Sequence, residues 1–414
     1  MAFERETKFP LKLFVDKERN HVVMAEAGGD LIGILFGLLK LPLGTIMCLQ
    51  RKSMKSIAAD ENLDDQPNKI GSIREIGCIN NLYQSVINLD ADVFFAARFK
   101  NRFLFPCNPS EDLCQKLRLI VNDQELKREH LSCRHSEETR MNTGFINEKS
   151  MYLIFNDLKV LQSSPNNCVD QLVQLGYKNF NELTEMSINV GLKEMLDIVN
   201  QALFSESPLN DLFLMNGESK QTYVHSPKIK QKIKSEFEGR HFNCVMNLAV
   251  MVRKSKNEIL YAEAEHDFVD FLCRVLTTPY ASILELFGKK FVYQSVNELN
   301  SLGFTRPSRT PFACIRDLII SSNNIGGFVR SSSLFTVWND LQVTPCGNTS
   351  GISFLQKLNV PLDDLQKHVV SIGETEALNL LWASLTTKEA LSQGLSYLWK
   401  KPEEETKAGN LRFE

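Results

Sequence analysis

The sequence predicts an internally duplicated α+β protein built from two tandem halves of similar fold. The segment that begins at Leu11 aligns without gaps on the segment that begins at Leu248. A second block repeats in the same order further along the chain, and both blocks combine β-rich runs with helical patterns. Two colinear repeats indicate that one ancestral unit was copied, and such repeats set the architecture of a chain.

The identities between the two copies are spread over both blocks. Between Leu13 and Ile46, roughly a third of the positions are identical. The identical pairs are Val15/Val252, Lys17/Lys254, Asn20/Asn257, Ala25/Ala262, Glu26/Glu263, Ala27/Ala264, Asp30/Asp267, Leu35/Leu272, Leu39/Leu276, Pro42/Pro279 and Ile46/Ile283. In the second block, NDLKV at Asn156 matches NDLQV at Asn339. The run at Ser187 matches the run at Val370 once one residue is skipped.

The first block of each copy predicts a β-hairpin followed by a helix. Residues 17–20 form a polar turn between two β-rich runs. Asp30 and Asp267 stand where a helix N-cap is expected, because a short carboxylate side chain accepts hydrogen bonds from the free amides of a first turn. Pro42 and Pro279 are expected to end the two helices.

The second block of each copy predicts the order strand, helix, strand, helix. Residues 152–160 and 335–343 are predicted as strands, and residues 187–190 and 369–372 as further strands, each followed by a helix. Together with the hairpin and helix of the first block, this order predicts a mixed sheet with packed helices in each half.

The first helix of each copy differs on the face opposite its apolar residues. The first copy has Gly33 and Gly37, where the second has Asp270 and Arg274. We therefore expect the first helix to approach another element closely and the second to face solvent on this side.

The two halves also differ in length. The offset between matched residues falls from 237 at Val15/Val252 to 183 at Asn156/Asn339, so the first half carries 54 more residues between its blocks. The predicted organisation is a first half at 1–215 with an insertion at about 51–150, a linker at 216–243, a second half at 244–400 and a mobile tail at 401–414.

Composition narrows the possible partners and locations. The chain has 47 basic and 50 acidic residues and a net charge of -3, which provides no basic field for nucleic acid. Its longest apolar stretch, residues 31–43, is too short to cross a membrane, and its first residues carry too many charges for a secretory signal. Ten scattered cysteines lack the spacing of a disulfide scaffold. These features predict a soluble, cytoplasmic protein that binds neither nucleic acid nor membrane.

Several sequence runs together resemble one protein family. They are AEAGGD at Ala25, LPLGT at Leu41, GCINNLYQSVINLD at Gly77, KLRLIVND at Lys116, NDLQVTP at Asn339 and SIGETEALNLLWASL at Ser371. In these runs the chain is similar to the plant domain of unknown function 674 family over nearly its whole length. The resemblance implies a plant source and a duplicated architecture, and it supplies no established activity or catalytic residues.

The first-half insertion raises the question of a zinc site. The resemblance implies two cysteines in a run where this chain has Met141 and Thr143. Structural zinc requires four soft ligands in tetrahedral reach, and the remaining candidates are irregularly spaced. Those candidates are Cys107, Cys114, Cys133 and His135. Partly buried thiols and a surface histidine are the alternative interpretation, and no cofactor is predicted.

Glu26 and Glu263, repeated at matched positions, are the candidate catalytic residues, together with His266 beside the second. If the halves pack about a twofold axis, the two carboxylates could meet in a cleft, where burial and like charge would raise one pKa for acid–base work. The alternative is structural: each glutamate anchors a strand–helix corner that the fold needs twice, and His266 lies at a helix start.

Two functions are consistent with these residues. The leading hypothesis is a non-enzymatic binding or interaction protein connected with plant stress or specialised metabolism, whose partner is a small molecule or a protein. It depends on a divergent insertion that could present a variable surface. The alternative is an enzyme that acts on a small plant metabolite through acid–base residues between the halves.

Overall fold

The protein is described by a computed structural model over most of the two predicted halves. The described residues are 8–60, 76–105, 150–205, 207–214, 246–286, 327–330, 334–346, 356 and 360–398.

Within these residues, each half contains one five-stranded sheet. The strands are β1 (Phe9–Asp16), β2 (His21–Gly28), β3 (Met151–Phe155), β4 (Val160–Gln162), β5 (Leu183–Val190), β6 (Met246–Arg253), β7 (Glu258–Ala264), β8 (Phe335–Trp338), β9 (Val343–Pro345) and β10 (Leu365–Ile372). The strand order is β4-β3-β2-β1-β5 in the first half and β9-β8-β7-β6-β10 in the second. These two orders are the same topology, so the predicted duplication of an α+β unit is confirmed.

Helices join and cover the two sheets. They are α1 (Gly29–Lys40), α2 (Leu43–Asp60), α3 (Ile79–Asn88), α4 (Ala97–Leu104), α5 (Pro165–Gln174), α6 (Leu192–Phe204), α7 (Pro208–Phe213), α8 (His266–Val275), α9 (Tyr280–Leu286), α10 (Glu374–Thr386) and α11 (Ala390–Leu395). Apolar side chains of both halves form one continuous cluster, so the halves share a core.

The pairing of the strands differs from the mixed sheet expected from sequence. Every strand pair in the described sheets is antiparallel. The reason lies in the crossover through α5, since it joins β4 to β5 and these two strands run in the same direction at opposite edges of the sheet. No parallel pair forms because three strands separate them.

The run predicted as one strand over residues 152–160 is a hairpin, and its repeat over residues 335–343 is another. The turns contain Leu158 at φ 65° and Leu341 at φ 62°. A left-handed conformation costs a non-glycine residue roughly 1–2 kcal/mol, so its appearance at matched positions shows that both turns have the same geometry. Asn20 and Asn257 form a second such pair, at φ 49° and 51°.

A shared hydrogen-bond relay supports these turns. In the first half the backbone amide of Asn210 donates to Oδ1 of Asn156 at 3.1 Å, and Oδ1 of Asn210 accepts from the amide of Val22. In the second half, the amide of Ser392 donates to Oδ1 of Asn339 at 2.9 Å, and its Oγ accepts from the amide of Ile259 at 2.8 Å. Both halves therefore contain the same pair of hydrogen bonds, although the side chain that accepts from the strand is Asn210 in the first half and Ser392 in the second.

Asp16 holds the first hairpin turn in place. Its carboxylate accepts hydrogen bonds from the amides of Glu18 and Arg19 at 3.0 and 3.1 Å and from the hydroxyl of Tyr177 at 3.0 Å. The bond from the Arg19 amide is the largest of several interactions that lower the pKa of Asp16, against the opposing effect of burial. In the second half, the carboxylate of Asp364 holds the corresponding turn, because it accepts hydrogen bonds from the Ser255 amide and from Nε of Arg253.

The stability of the fold should depend on pH through Asp16. Because its folded pKa lies below the unfolded value of about 3.9, its stabilising contribution is complete above that value and is lost as the pH falls through the folded pKa. We expect Asp16→Asn to lower the thermal midpoint at pH 7 and to differ much less from the wild type near pH 2. Thermal denaturation across this pH range measures the effect; an equal difference at both ends would contradict it.

The helix starts differ in detail from those predicted. Gly28 and Glu265 occupy the N-cap positions, so Asp30 and Asp267 lie within the first turn and do not cap their helices through a side-chain hydrogen bond. Each helix begins two residues earlier than the capping pattern suggests. Both carboxylates still lie near the positive end of a helix dipole, where negative charge is favourable.

The two halves meet about a pseudo-twofold axis at the predicted helix-ending prolines. Pro42 and Pro279 form an antiparallel bridge. The amide of Leu43 donates to the carbonyl of Thr278 at 2.9 Å, and the amide of Tyr280 donates to the carbonyl of Leu41 at 3.0 Å. Leu43 matches Tyr280 and Leu41 matches Thr278 at the offset of 237 residues, so each of these two bonds is the repeat of the other. Such a reciprocal pair is expected for an isologous contact on a twofold axis.

A second bridge, between Phe94 and Val329, also joins the halves. It too has a reciprocal pair of bonds, from the amide of Phe95 to the carbonyl of Phe328 and from the amide of Arg330 to the carbonyl of Val93, both at 2.9 Å.

The second-half helix does not face solvent at the positions predicted to do so: Asp270 is buried and the Arg274 side chain is only 13% exposed. Asp270 has 0% exposure and accepts hydrogen bonds from Nε of Arg274 at 2.6 Å and from the amides of Phe328 and Val329 at 2.8 and 3.3 Å. The Arg274 guanidinium lies 4.4 Å from the centre of the Phe328 ring. The expected exposure to solvent was wrong because Asp270 and Arg274 pair with each other at the edge of the core. Asp270 also accepts hydrogen bonds from the backbone amides of Phe328 and Val329, so its charge is compensated where it is buried.

Candidate functional site

Glu26 lies on β2 and points away from the shared core. Its neighbours Ala25 and Ala27 belong to that core, and successive side chains of a strand point to opposite faces. Glu26 therefore faces the outer layer of the first half, where α5 covers the sheet.

Glu26 forms a small polar cluster with two residues of this outer layer. The hydroxyl of Ser163 donates to its carboxylate at 2.8 Å. Burial, followed by the negative charge of Glu26, raises the pKa of the nearby Cys168 thiol. Because the thiolate is the reactive form of cysteine, this environment favours an unreactive thiol.

Glu263 has the matching position on β7, between the core residues Ala262 and Ala264. Its carboxylate lies 3.6 Å from Nζ of Lys367, and both side chains are about half exposed, at 49% and 58%. The two glutamates thus lie on the outer faces of separate sheets. The structure does not bring them together in a cleft between the halves.

His266 and Asp267 lie at the start of α8. The Nδ1 atom of His266 is buried and has no hydrogen-bond partner among the described residues. Burial raises the pKa of the Asp267 carboxyl, and a hydrogen bond from the Phe268 amide at 2.7 Å opposes this shift. His266 is therefore adjacent to a partly buried carboxyl at the start of a helix of the second half, whereas Glu26 lies on a strand of the first half.

The zinc candidates Cys107, Cys114, Cys133 and His135 lie outside the described residues. Within the described part of the chain, no group of three or more potential metal ligands occurs. Its cysteines are free thiols, and burial raises the pKa of Cys78 to about 12.

The described surface contains an apolar area that the sequence reading overlooked. The inner side of α5 contributes Leu172 to a small core with Val23, Met24, Leu153, Phe155 and Tyr177. On the outside, four apolar residues are exposed in and just after the helix. They are Val169 (44%), Val173 (66%), Leu175 (48%) and Phe180 (62%), and they form the outer helix surface.

A signal for this surface is present in the sequence, since Val169 and Val173 stand four residues apart and so share a helix face. The short turn after the helix also repeats, with Phe180 in the first half and Leu362 in the second beginning matched 3₁₀ turns. Leu362 is 86% exposed. An exposed apolar residue at this corner is thus a feature of both copies.

The fold and these surfaces define the class: an internally duplicated α+β protein with two antiparallel sheets around one shared core. The chain belongs to the family described as Protein of unknown function (DUF674), whose sequence profile matches residues 5–141, 128–302 and 308–375. The resemblance noted from its motifs is therefore confirmed at the level of the family. No curated protein and no solved structure matches the chain. Among the described residues, no helix is both long and apolar enough to cross a membrane.

Proposed function

We propose that this chain is an interaction protein that binds a protein partner through the outer helix surface. The observation that supports the proposal is the exposure of Val173 and Phe180, at 66% and 62%, beside two further exposed apolar residues. Clustered apolar residues on a surface mark interaction sites, because covering them removes apolar area from water.

The position of the surface suits a docking role. Leu172 of α5 and Tyr177, just after the helix, pack in the small core beneath it, so the outer residues of the helix are held on a packed support. A rigid support reduces the entropy that a partner must overcome on binding. We infer a partner that presents an apolar patch of its own. We also infer a cytoplasmic location, supported by the free thiols among the described cysteines.

The test replaces two exposed residues by charges, in the variant Val173→Asp/Phe180→Asp of the full chain. Partners captured by the wild type are purified, and their affinity for both forms is measured by calorimetry. We expect the double variant to bind a true partner at least about tenfold more weakly, a loss of roughly 1.4 kcal/mol. Its thermal midpoint should stay close to the wild-type value, since exposed substitutions usually change stability by about 0.5 kcal/mol or less.

The matched control is Val369→Asp/Leu334→Asp, which changes two exposed apolar residues of the second half, at 73% and 55% exposure. It should bind the partner with wild-type affinity. Equal affinity of all three forms would overturn the proposal. A wild-type chain that only self-associates, and loses this in the double variant, would identify a second copy as the occupant and would also contradict it.

A further inference from the structure

Two helices of the first half lie against the second half. The amide of Cys78, just before α3, donates to the carbonyl of Ser384 at 2.7 Å, and Ser85 Oγ accepts from the amide of Val343 at 2.9 Å. Helix α3 therefore packs on the second half. Helix α4 follows it along the chain, and two aromatic rings of α4 contact the ring of Phe328 in the second half.

Helix α4 has no counterpart in the second half. The reciprocal bonds of the second bridge between the halves match Phe95 with Arg330. Residues 96–150 separate Phe95 from β3, whereas only residues 331–334 separate Arg330 from β8. This short interval is too small for a helix of the length of α4, which spans eight residues. The surface that α4 forms is therefore specific to the first half.

Three arginines form an exposed basic surface where α4 meets the second half. Arg98 and Arg102 stand four residues apart on α4, so they are neighbours on one face of the helix. Arg330 lies beside the start of α4, since its Nε donates to the carbonyl of Phe94 at 3.1 Å. All three arginines are exposed, and the adjacent Phe95 is 50% exposed. These three arginines and Phe95 are called the seam surface.

Two of the guanidinium groups are supported by aromatic rings. The guanidinium carbon of Arg98 lies 5.3 Å from the centre of the Phe99 ring, and that of Arg102 lies 5.5 Å from the centre of the Phe328 ring. The two rings pack edge to face with their centres 4.9 Å apart, so they form one support. A guanidinium that lies over a ring keeps N–H groups at its edge, where they can bind a carboxylate bidentately.

The seam surface has no acidic partner within the described part of the chain. None of the ion pairs found there includes Arg98, Arg102 or Arg330. The two carboxylates that precede α4, those of Asp90 and Asp92, are exposed and form no ion pair with these arginines. The three guanidinium groups are therefore available to carboxylates of another molecule.

We propose that the seam surface binds an acidic segment of a partner protein, whose carboxylates pair with Arg98 and Arg102 and whose neighbouring apolar side chain covers Phe95. Charge complementarity selects this partner, because guanidinium groups without a carboxylate attract an acidic segment and disfavour a basic one. Arginines beside an aromatic residue are also typical of the centres of protein interfaces. Nucleic acid is less suitable, since the chain has a net charge of -3 and provides no extended basic field.

The test measures the binding of a fluorescent peptide of glutamate and leucine to the full chain by fluorescence anisotropy. The control probe has glutamine in place of every glutamate. We expect the glutamate peptide to bind at least about tenfold more tightly at low salt. The difference should shrink as the salt concentration rises, because salt screens exposed charges. Equal affinity for the two peptides would overturn the proposal.

Charge-reversed variants locate the binding site. Arg98→Glu/Arg102→Glu should bind the glutamate peptide at least about tenfold more weakly than the wild type. The matched control Lys254→Glu/Lys256→Glu makes the same change in net charge at two exposed lysines of the second half, and it should bind as the wild type does. Thermal denaturation verifies that both variants are folded. Equal weakening in the two variants would show that net charge alone attracts the peptide, which contradicts the proposal.

Two further measurements define what is recognised. Arg98→Lys/Arg102→Lys keeps both charges but removes the planar donor groups, so it should bind the glutamate peptide more weakly than the wild type. Wild-type affinity in this variant would refute recognition by guanidinium groups. Single-stranded RNA that binds more tightly than the glutamate peptide would identify nucleic acid as the occupant and would also count against the proposal.

The seam surface shares no residue with the outer helix surface, so the two proposals can fail separately. The variant Val173→Asp/Phe180→Asp should bind the glutamate peptide with wild-type affinity. A loss of peptide binding in this variant would place the peptide on the outer helix surface and overturn the assignment to the seam surface.

Discussion

Replacement of Asp270 by alanine is expected to lower the free energy of unfolding by about 3–5 kcal/mol. The substitution leaves the Arg274 guanidinium, whose side chain is 13% exposed, without its carboxylate in the core. It also removes the acceptor for the amides of Phe328 and Val329, which attach that segment to α8. A buried charge or amide without a partner bears its full desolvation cost. Equilibrium unfolding in urea measures the loss.

Two controls separate burial from charge. Glu263→Gln breaks the exposed pair with Lys367 in the same half and should cost less than about 1 kcal/mol. The double variant Asp270→Leu/Arg274→Met removes both buried charges and should be less destabilised than Asp270→Ala alone. A single variant that loses under about 1 kcal/mol would show that the pair does not hold this part of the core together.

Replacement of Gly77 by alanine should have the next largest effect, a loss of roughly 2–5 kcal/mol from a strained backbone and a collision together. Gly77 has φ +47°, which alanine adopts only at a cost, and it lies directly before α3. An added Cβ would stand 2.3 Å from the carbonyl oxygen of Ser384 and 2.5 Å from the carbonyl carbon of Leu385. Since both atoms belong to the backbone of α10, the helix α3 must move away from the second half.

Gly176→Ala is the matched control. Gly176 also has positive φ, at +86°, but an added Cβ there meets no atom within 4 Å. This substitution should therefore lower the free energy of unfolding only by the cost of a left-handed backbone at alanine, about 1–2 kcal/mol. Urea unfolding of both variants measures the difference, and hydrogen exchange of α3 shows whether the loss at Gly77 reflects its displacement. Equal losses in the two variants would refute a tight approach between the halves at this point.

Much of the local fold could be predicted from the residues. The hairpin around residues 17–20 and the helices after Gly191 and Gly373 occur where the pattern places them. In both of these helices a glutamate three residues after the glycine accepts a hydrogen bond from its amide, at 2.8 and 3.0 Å. Such features depend on neighbours a few residues away, so a short stretch of sequence specifies them.

The candidate site could not be predicted in the same way. The repeat shows that Glu26 and Glu263 occupy matched positions. The face of the sheet to which each side chain points, however, depends on the register of its strand against the core. A twofold axis can bring matched residues together or hold them far apart. Here the inner alanines of both strands meet the shared core, so the glutamates face outward on separate sheets.

By itself, the sequence determined that this protein consists of two copies of one α+β unit, because periodicity, turn residues and colinear identities are local properties of the chain. Only the tertiary structure decided how the copies combine. The burial of Asp270 beside Arg274, the passage of α3 onto the other half and the outward direction of both glutamates depend on residues far apart in sequence. Their contact energies arise only when the two apolar surfaces have closed into one core.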